Sequence, residues 1–112
     1  MAKSESKLDT IIGKESKVKG TLTIKGSVRI DGEQEGNVTI SDSLYCGKNS
    51  KIKGNIKCKN AVIGGKVEGN IDASETVEIE SGAYVKGDIL CKELIIHPQV
   101  FFEGHSKMNH QK

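Results

Sequence analysis

The chain has no tryptophan and only two tyrosines and two phenylalanines in 112 residues. It therefore lacks the aromatic platforms on which proteins stack single-stranded nucleic acid. It also lacks an excess of one charge. Seventeen Lys and Arg against fifteen Asp and Glu leave a formal net charge of +2, with both signs interleaved, which excludes a basic nucleic-acid groove. No apolar run is long enough to span a bilayer, and the start has no signal peptide with a charged end and apolar middle. The expected location is the cytoplasm.

Signatures of chemistry are missing as well. His97, His105 and His110 have no metal-ligand spacing that places them on one face. Gly13-Lys14-Glu15-Ser16 and Gly47-Lys48-Asn49-Ser50 lack the upstream glycine and following helix that a phosphate loop needs. No nucleophile and base stand out together, so neither an enzyme nor a cofactor or nucleotide site is expected. What remains, 35% hydrophobic but 4% aromatic, suits one small domain with a thin core of Val, Ile and Leu.

What the chain does have is a repeat. Gly20, Gly36, Gly54, Gly69, Gly87 and Gly104 recur at intervals of 16, 18, 15, 18 and 17 residues. Each lies in a phrase reading apolar, charged, Gly, polar, apolar, as in Val18-Lys19-Gly20-Thr21-Leu22 and Val85-Lys86-Gly87-Asp88-Ile89; the copies at Gln34 and Phe102 are imperfect. A fixed period in a short chain means one supersecondary unit stacked on copies of itself.

Aligning the copies on their glycines shows which offsets are apolar. Two before come Val18, Gln34, Ile52, Val67, Val85 and Phe102; two after come Leu22, Val38, Ile56, Ile71 and Ile89; four after come Ile24, Ile40, Cys58, Ala73 and Cys91. Eight and ten after come Val28/Ile30, Leu44/Cys46, Val62/Gly64 and Val77/Ile79, with Leu94/Ile96 one residue earlier in the fifth copy. These are alternate residues of strands with one buried face, and only Gln34 and Gly64 break the pattern. The remaining length variation falls between the last offset and the next copy, so insertions collect at one corner.

A turn of about 17 residues with period-2 strands is one coil of a parallel β-helix, with coils about 4.8 Å apart. Residues 10–108 form this β-helix of about six coils, flanked by disordered tails over residues 1–9 and 109–112. The position before each glycine reads Lys19, Glu35, Lys53, Glu68, Lys86, Glu103, a strict alternation of sign that an in-register ladder converts into neighbouring opposite charges. The position after it gives Asn37, Asn55, Asn70 and Asp88, a column suited to a side-chain amide ladder. Lys48 to Lys66 holds six cations without an acid and Glu68 to Glu80 five acids without a cation, as complementary neighbouring coils require.

Cys46, Cys58 and Cys91 all fall in inward columns. Cys58 and Cys91 share one but are separated by the coil bearing Ala73, about 9.6 Å apart and beyond disulfide reach. Buried, reduced thiols are expected.

The two ends of the stack have no neighbouring coil on one side. Each leaves a row of unpaired N–H and C=O groups and an open apolar core. The polar residues before Thr10 and after Met108 are too few to cap it, so Ile12 and Val18 at one end and Val100, Phe101 and Phe102 at the other are the candidate polymerisation interface.

Thr10-Ile11-Ile12-Gly13, the echo of Gly13-Lys14-Glu15-Ser16-Lys17-Val18-Lys19-Gly20 by Gly47-Lys48-Asn49-Ser50-Lys51-Ile52-Lys53-Gly54, Ser27-Val28-Arg29-Ile30-Asp31-Gly32 and the closing Phe101-Phe102-Glu103-Gly104 resemble the bactofilins, bacterial cytoskeletal proteins, from about Thr10 to Met108. The resemblance implies an all-β, right-handed, triangular parallel β-helix. It implies end-to-end polymerisation without nucleotide into non-polar filaments that scaffold cell-wall enzymes and morphogenetic partners, often at the membrane. Family filaments join like end to like end, with an aromatic near the last coil that maps onto Phe102 or Phe101. The family's hydrophobic membrane-targeting start has little counterpart here beyond Met1 and Leu8, so direct membrane binding is weakly supported.

The alternatives from other classes are a hexapeptide-repeat acyltransferase and a β-helix adaptor that does not polymerise. The acyltransferase needs an aliphatic residue every six positions and a catalytic histidine on an extruded loop. The inward offsets here run 4, 2, 4, 2 and then a variable gap, and the best histidine, His97 before Pro98, lies at the final corner.

Overall fold

A computed structural model of the protein describes residues 10–108. The expected disordered tails, the segment Met1–Leu8 and His110 lie outside the described residues. Among the described residues there is no helix, only strands arranged in successive turns. The first turn is β1 (Thr10–Ile12), β2 (Lys17–Lys19) and β3 (Leu22–Ile24); the second is β4 (Val28–Ile30), β5 (Glu33–Glu35) and β6 (Val38–Ile40). The third turn comprises β7 (Ser43–Cys46), β8 (Lys51–Lys53) and the start of β9 (Ile56–Ile63), which rounds the corner into the fourth turn, followed by β10 (Lys66–Glu68) and the start of β11 (Ile71–Ile79). The end of β11 opens the fifth turn, completed by β12 (Tyr84–Lys86) and β13 (Ile89–Cys91); the sixth is β14 (Glu93–Ile96), β15 (Phe101–Glu103) and β16 (Ser106–Met108).

Every strand pairs in parallel with its counterpart one turn away, which gives a β-solenoid of about six turns and three faces. The first face stacks β1, β4, β7, β9, β11 and β14; the second stacks β2, β5, β8, β10, β12 and β15; the third stacks β3, β6, β9, β11, β13 and β16. Short strands are enough because each residue fixed in a rung hydrogen-bonds to the turns above and below, and the period-2 pattern sends one side chain inward and the next to solvent. The inward columns fill the interior: Val28, Ile30, Leu44, Ile52, Ile63, Val67, Val77, Ile79 and Val85 have no solvent exposure.

The repeating glycine is dictated by the corner between the second and third faces. Gly54 and Gly69 both have φ of 142°, a region closed to side-chain-bearing residues. A Cβ on Gly69 would also fall on the carbonyl oxygen of Gly54 below it.

The residue after that glycine is held by a ladder different in kind from the expected amide stack. The backbone N–H of Asn55 donates to Asn37 Oδ1 at 3.1 Å, that of Asn70 to Asn55 Oδ1 at 3.1 Å, and that of Asp88 to Asn70 Oδ1 at 3.1 Å. The ladder continues as the His105 N–H donates to Asp88 Oδ1 at 3.2 Å. The side chains serve the backbone because a corner turns these N–H groups away from the regular strand ladder, and an unpaired N–H is the costlier vacancy.

One register differs from the sequence reading. In the turn after Gly54 the inward pair is Ala61 and Ile63, 1% and 0% exposed, rather than Val62 and Gly64; Val62 points outward beside Tyr45. The Gly54 to Gly69 interval, at 15 residues, is the shortest in the chain, and the residue it drops lies at the corner inside β9. The extra residue returns as a bulge between Ala73 and Thr76 in β11. With Ala61 and Ile63 in place, Gln34 is the one exception in those apolar columns, and it is completely buried.

Candidate functional site

The six edge strands are where the molecule is unfinished. Among the described residues β1, β2 and β3 pair on one edge only, as do β14, β15 and β16. The apolar columns show the same thing from the side-chain end. In the second turn Gln34, Val38 and Ile40 are 0%, 1% and 3% exposed, whereas their first-turn counterparts Val18, Leu22 and Ile24 are half-buried. At the other end Ile96 is 47% exposed although its neighbour Ile79 in the same column is fully buried. Leu94, Val100 and Phe102 pack against the core from this last turn.

The candidate interface residues therefore divide between two opposite ends. Ile12 and Val18 belong to the first turn, where Ile12 is already 7% exposed and Val18 offers more surface. Val100, Phe101 and Phe102 belong to the last. Phe102 points inward over Val85, while Phe101 is on the outer side of the second face, 50% exposed. Its ring stacks on Tyr84 with centroids 4.6 Å apart and planes 11° from parallel, and the Lys66 ammonium lies 5.1 Å from the Tyr84 ring centre on the rung below. This stack was missed from sequence. Outward alternation in β10, β12 and β15 places Lys66, Tyr84 and Phe101 in one column.

The charge column lies in the predicted register: Lys19 beside Glu35, Glu35 beside Lys53, Lys53 beside Glu68, Glu68 beside Lys86 and Lys86 beside Glu103. Among the described residues no two neighbours in this column come within 4.0 Å; the Lys and Arg pairs within that distance are Lys17 with Glu33 at 3.9 Å, Lys66 with Glu68 at 3.9 Å, where Glu68 turns to a residue of its own strand, and Arg29 with Asp31 at 2.9 Å. The ladder residues thus share a solvated surface instead of clamping in pairs, and such exposed contacts contribute at most about 1 kcal/mol each.

The two histidines among the described residues lie apart. His97 hydrogen-bonds through Nε2 to Glu78 Oε2 at 2.7 Å on the first face, and His105 Nδ1 lies 3.5 Å from Asp88 Oδ1. The three cysteines are free and buried. Burial pushes the Cys58 thiol up to about 12 and drives Cys46 higher still, so both remain protonated and unreactive at neutral pH.

Comparison with known proteins agrees with this geometry. Residues 10–107 match the family model described as "Bactofilin: Polymer-forming cytoskeletal". The fold is similar to that in a cryo-EM reconstruction of Thermus thermophilus bactofilin double helical filaments, with TM-score 0.85, 27% identity, and coverage of 89% of this chain and 99% of that one. It is also similar to the cytoskeletal bactofilin BacA determined by solid-state NMR, with TM-score 0.79, 26% identity, and coverage of 90% and 96%. No curated protein sequence matches the chain.

Proposed function

Because the chain belongs to the bactofilin family of polymer-forming cytoskeletal proteins, we propose that it assembles end to end, without nucleotide, into filaments that position cell-wall-synthesis or morphogenetic proteins and so serve cell shape. The filaments lie in the cytoplasm, at the inner face of the membrane where their clients work. The observation that carries this reading is the pair of unfinished ends. Each presents three strand edges and half-covered aliphatic side chains, and a second copy with the same strand spacing satisfies both at once. Like end meets like end, with Phe102 inside the contact between last turns. Phe102 is the large apolar side chain that continues the inward column of Val67 and Val85 to the surface.

Electron microscopy of the purified protein without nucleotide tests the reading. Filaments are expected from the unmodified chain, and short soluble species from Phe102→Arg, which places an unpaired charge in a desolvated contact. Circular dichroism of the variant checks that its β-sheet is intact. Normal filaments in Phe102→Arg would take Phe102 out of the contact. Absence of filaments from the unmodified protein across salt and concentration would overturn the end-to-end reading.

A further inference from the structure

The outer surface of the first face carries a column that is complementary to its own reverse. Strand register stacks Ile11, Arg29, Tyr45, Val62, Glu78 and Ile95 in that order, one per turn. Ile11, Tyr45 and Ile95 are 64%, 39% and 41% exposed, and they account for three of the five exposed large hydrophobic residues among those described. Reversed, the column sets Ile95 against Ile11, Glu78 against Arg29, and Val62 against Tyr45.

We infer that this face is a lateral contact between two copies of the chain running in opposite directions, each Arg29 meeting Glu78 of the other copy. The inference rests on the filament reading, because the contact is too small to hold isolated subunits together. A column six turns high and one short strand wide covers roughly 29 by 12 Å, less than half the ~800 Å² that each partner buries in a standard interface. Repeated along two filaments, a weak contact becomes a stable one, since every subunit after the first binds at high effective concentration.

Shape and charge favour the antiparallel arrangement. Beside Tyr45 and Val62 the neighbouring column is Gly47 and Gly64, and the missing side chains leave an open cavity of about 400 Å³ at the centre of the face. A two-fold axis along the strands places Tyr45 of each copy over Val62 and this hollow in the other. Arg29 and Lys48 border the cavity on the side of the early turns, Glu78 and Glu80 on the side of the late turns. Antiparallel packing brings the basic half against the acidic half, whereas parallel packing would set Arg29 against Arg29 and Glu78 against Glu78. The same reversal sets Asp31 opposite Glu80. Asp31 already accepts from Arg29 Nε at 2.9 Å, which offsets that repulsion.

The other two faces fit less well. On the second face reversal pairs opposite charges in one outward column, Lys19 with Glu103, Glu35 with Lys86 and Lys53 with Glu68. In the other it sets Lys51 against Lys66 at the centre, and its aromatic side chains Tyr84 and Phe101 sit together at one end, where reversal places them over Glu33 and Lys17. The third face presents Thr23, Thr39, Lys57, Asp72, Leu90 and Lys107, with one apolar side chain among them.

The test is a cross-link between two single variants in the full chain. Arg29→Cys and Glu78→Cys proteins are mixed one to one and treated with a short bis-maleimide; the buried native thiols do not compete. A covalent dimer is expected from the mixture at least fivefold in excess of either variant alone, because like positions in an antiparallel pair are three turns, about 14 Å, apart. The complementary arm is charge reversal. Arg29→Glu or Glu78→Arg is expected to abolish paired filaments in electron microscopy, and the double variant Arg29→Glu/Glu78→Arg to regain them. Equal cross-linking within each variant, or no rescue in the double variant, would overturn the antiparallel contact. Single filaments that neither pair nor cross-link would overturn this face while leaving the end-to-end reading intact, and cross-linked dimers without filaments would overturn the end-to-end reading together with the premise that this contact needs filaments to hold.

Discussion

Gly69 lies over Gly54 so closely that the carbonyl oxygen of Gly54 occupies the space a Cβ on Gly69 would need. Gly20, at the same place in the first turn, has a positive φ of 110° and no atom within 4 Å of an added Cβ. The two positions separate the cost of backbone strain from the cost of collision. Gly20→Ala is expected to lose about 1–2 kcal/mol from its dihedral alone. Gly69→Ala is expected to lose at least about 4 kcal/mol, because neither backbone can move without breaking rungs. Urea unfolding of both variants checks this, and equal losses would mean that the turns yield to the added carbon.

Gln34 is a buried amide in an otherwise aliphatic column. Its Nε2 donates to the carbonyl of Gly20 at 2.9 Å, while its Oε1 has no hydrogen-bond partner and the residue has no exposure. An unpaired buried acceptor costs more than its partnered amide returns. Gln34→Ile, which matches the adjoining Ile52 in shape, is expected to stabilise the fold by about 1 kcal/mol and raise Tm by about 4 °C or more. A lower Tm would show that the bond to Gly20 outweighs the orphaned oxygen.

The buried thiols give the protein an alkaline limit. Burial holds Cys58 up at about 12 against an ordinary value of 9.0, so the folded chain keeps a proton that the unfolded chain releases above pH 9. The stabilising contribution is complete below about pH 9 and is lost as pH rises towards 12, at about 1.4 kcal/mol per pH unit for each such thiol. Cys58→Ala is expected to flatten this dependence even though it lowers stability at neutral pH through lost packing. Chemical unfolding at intervals from pH 8 to 11 measures the slope, and an unchanged slope in the variant would refute the assignment.

Most of the solenoid was legible because two periodicities constrain it at once, a coil of about 17 residues and an alternation of two within each strand. Where they conflict, hydrophobicity alone could not arbitrate. Ala61 and Val62 are both apolar, so the dropped residue inside β9 left two registers open until the pairing with Leu44 and Tyr45 fixed one. The asparagine column was visible as a column but its partners were not, since composition does not say whether an amide serves a side chain or a backbone N–H. For Lys19 to Glu103 the register was readable and the side-chain conformations were not. The ends were legible as places of unpaired edges, while the Tyr84–Phe101 stack needed the register of β12 and β15 to be recognised.

Because all strands lie across the column, the hydrogen bonds between turns run along its length and carry an axial pull as tension. Three faces share that load at every level, together with side-chain rungs such as Asn55 to Asn70. An axial pull on one molecule is therefore borne by three strand pairings in parallel at every turn, so that no single strand gives way before its two companions at the same level.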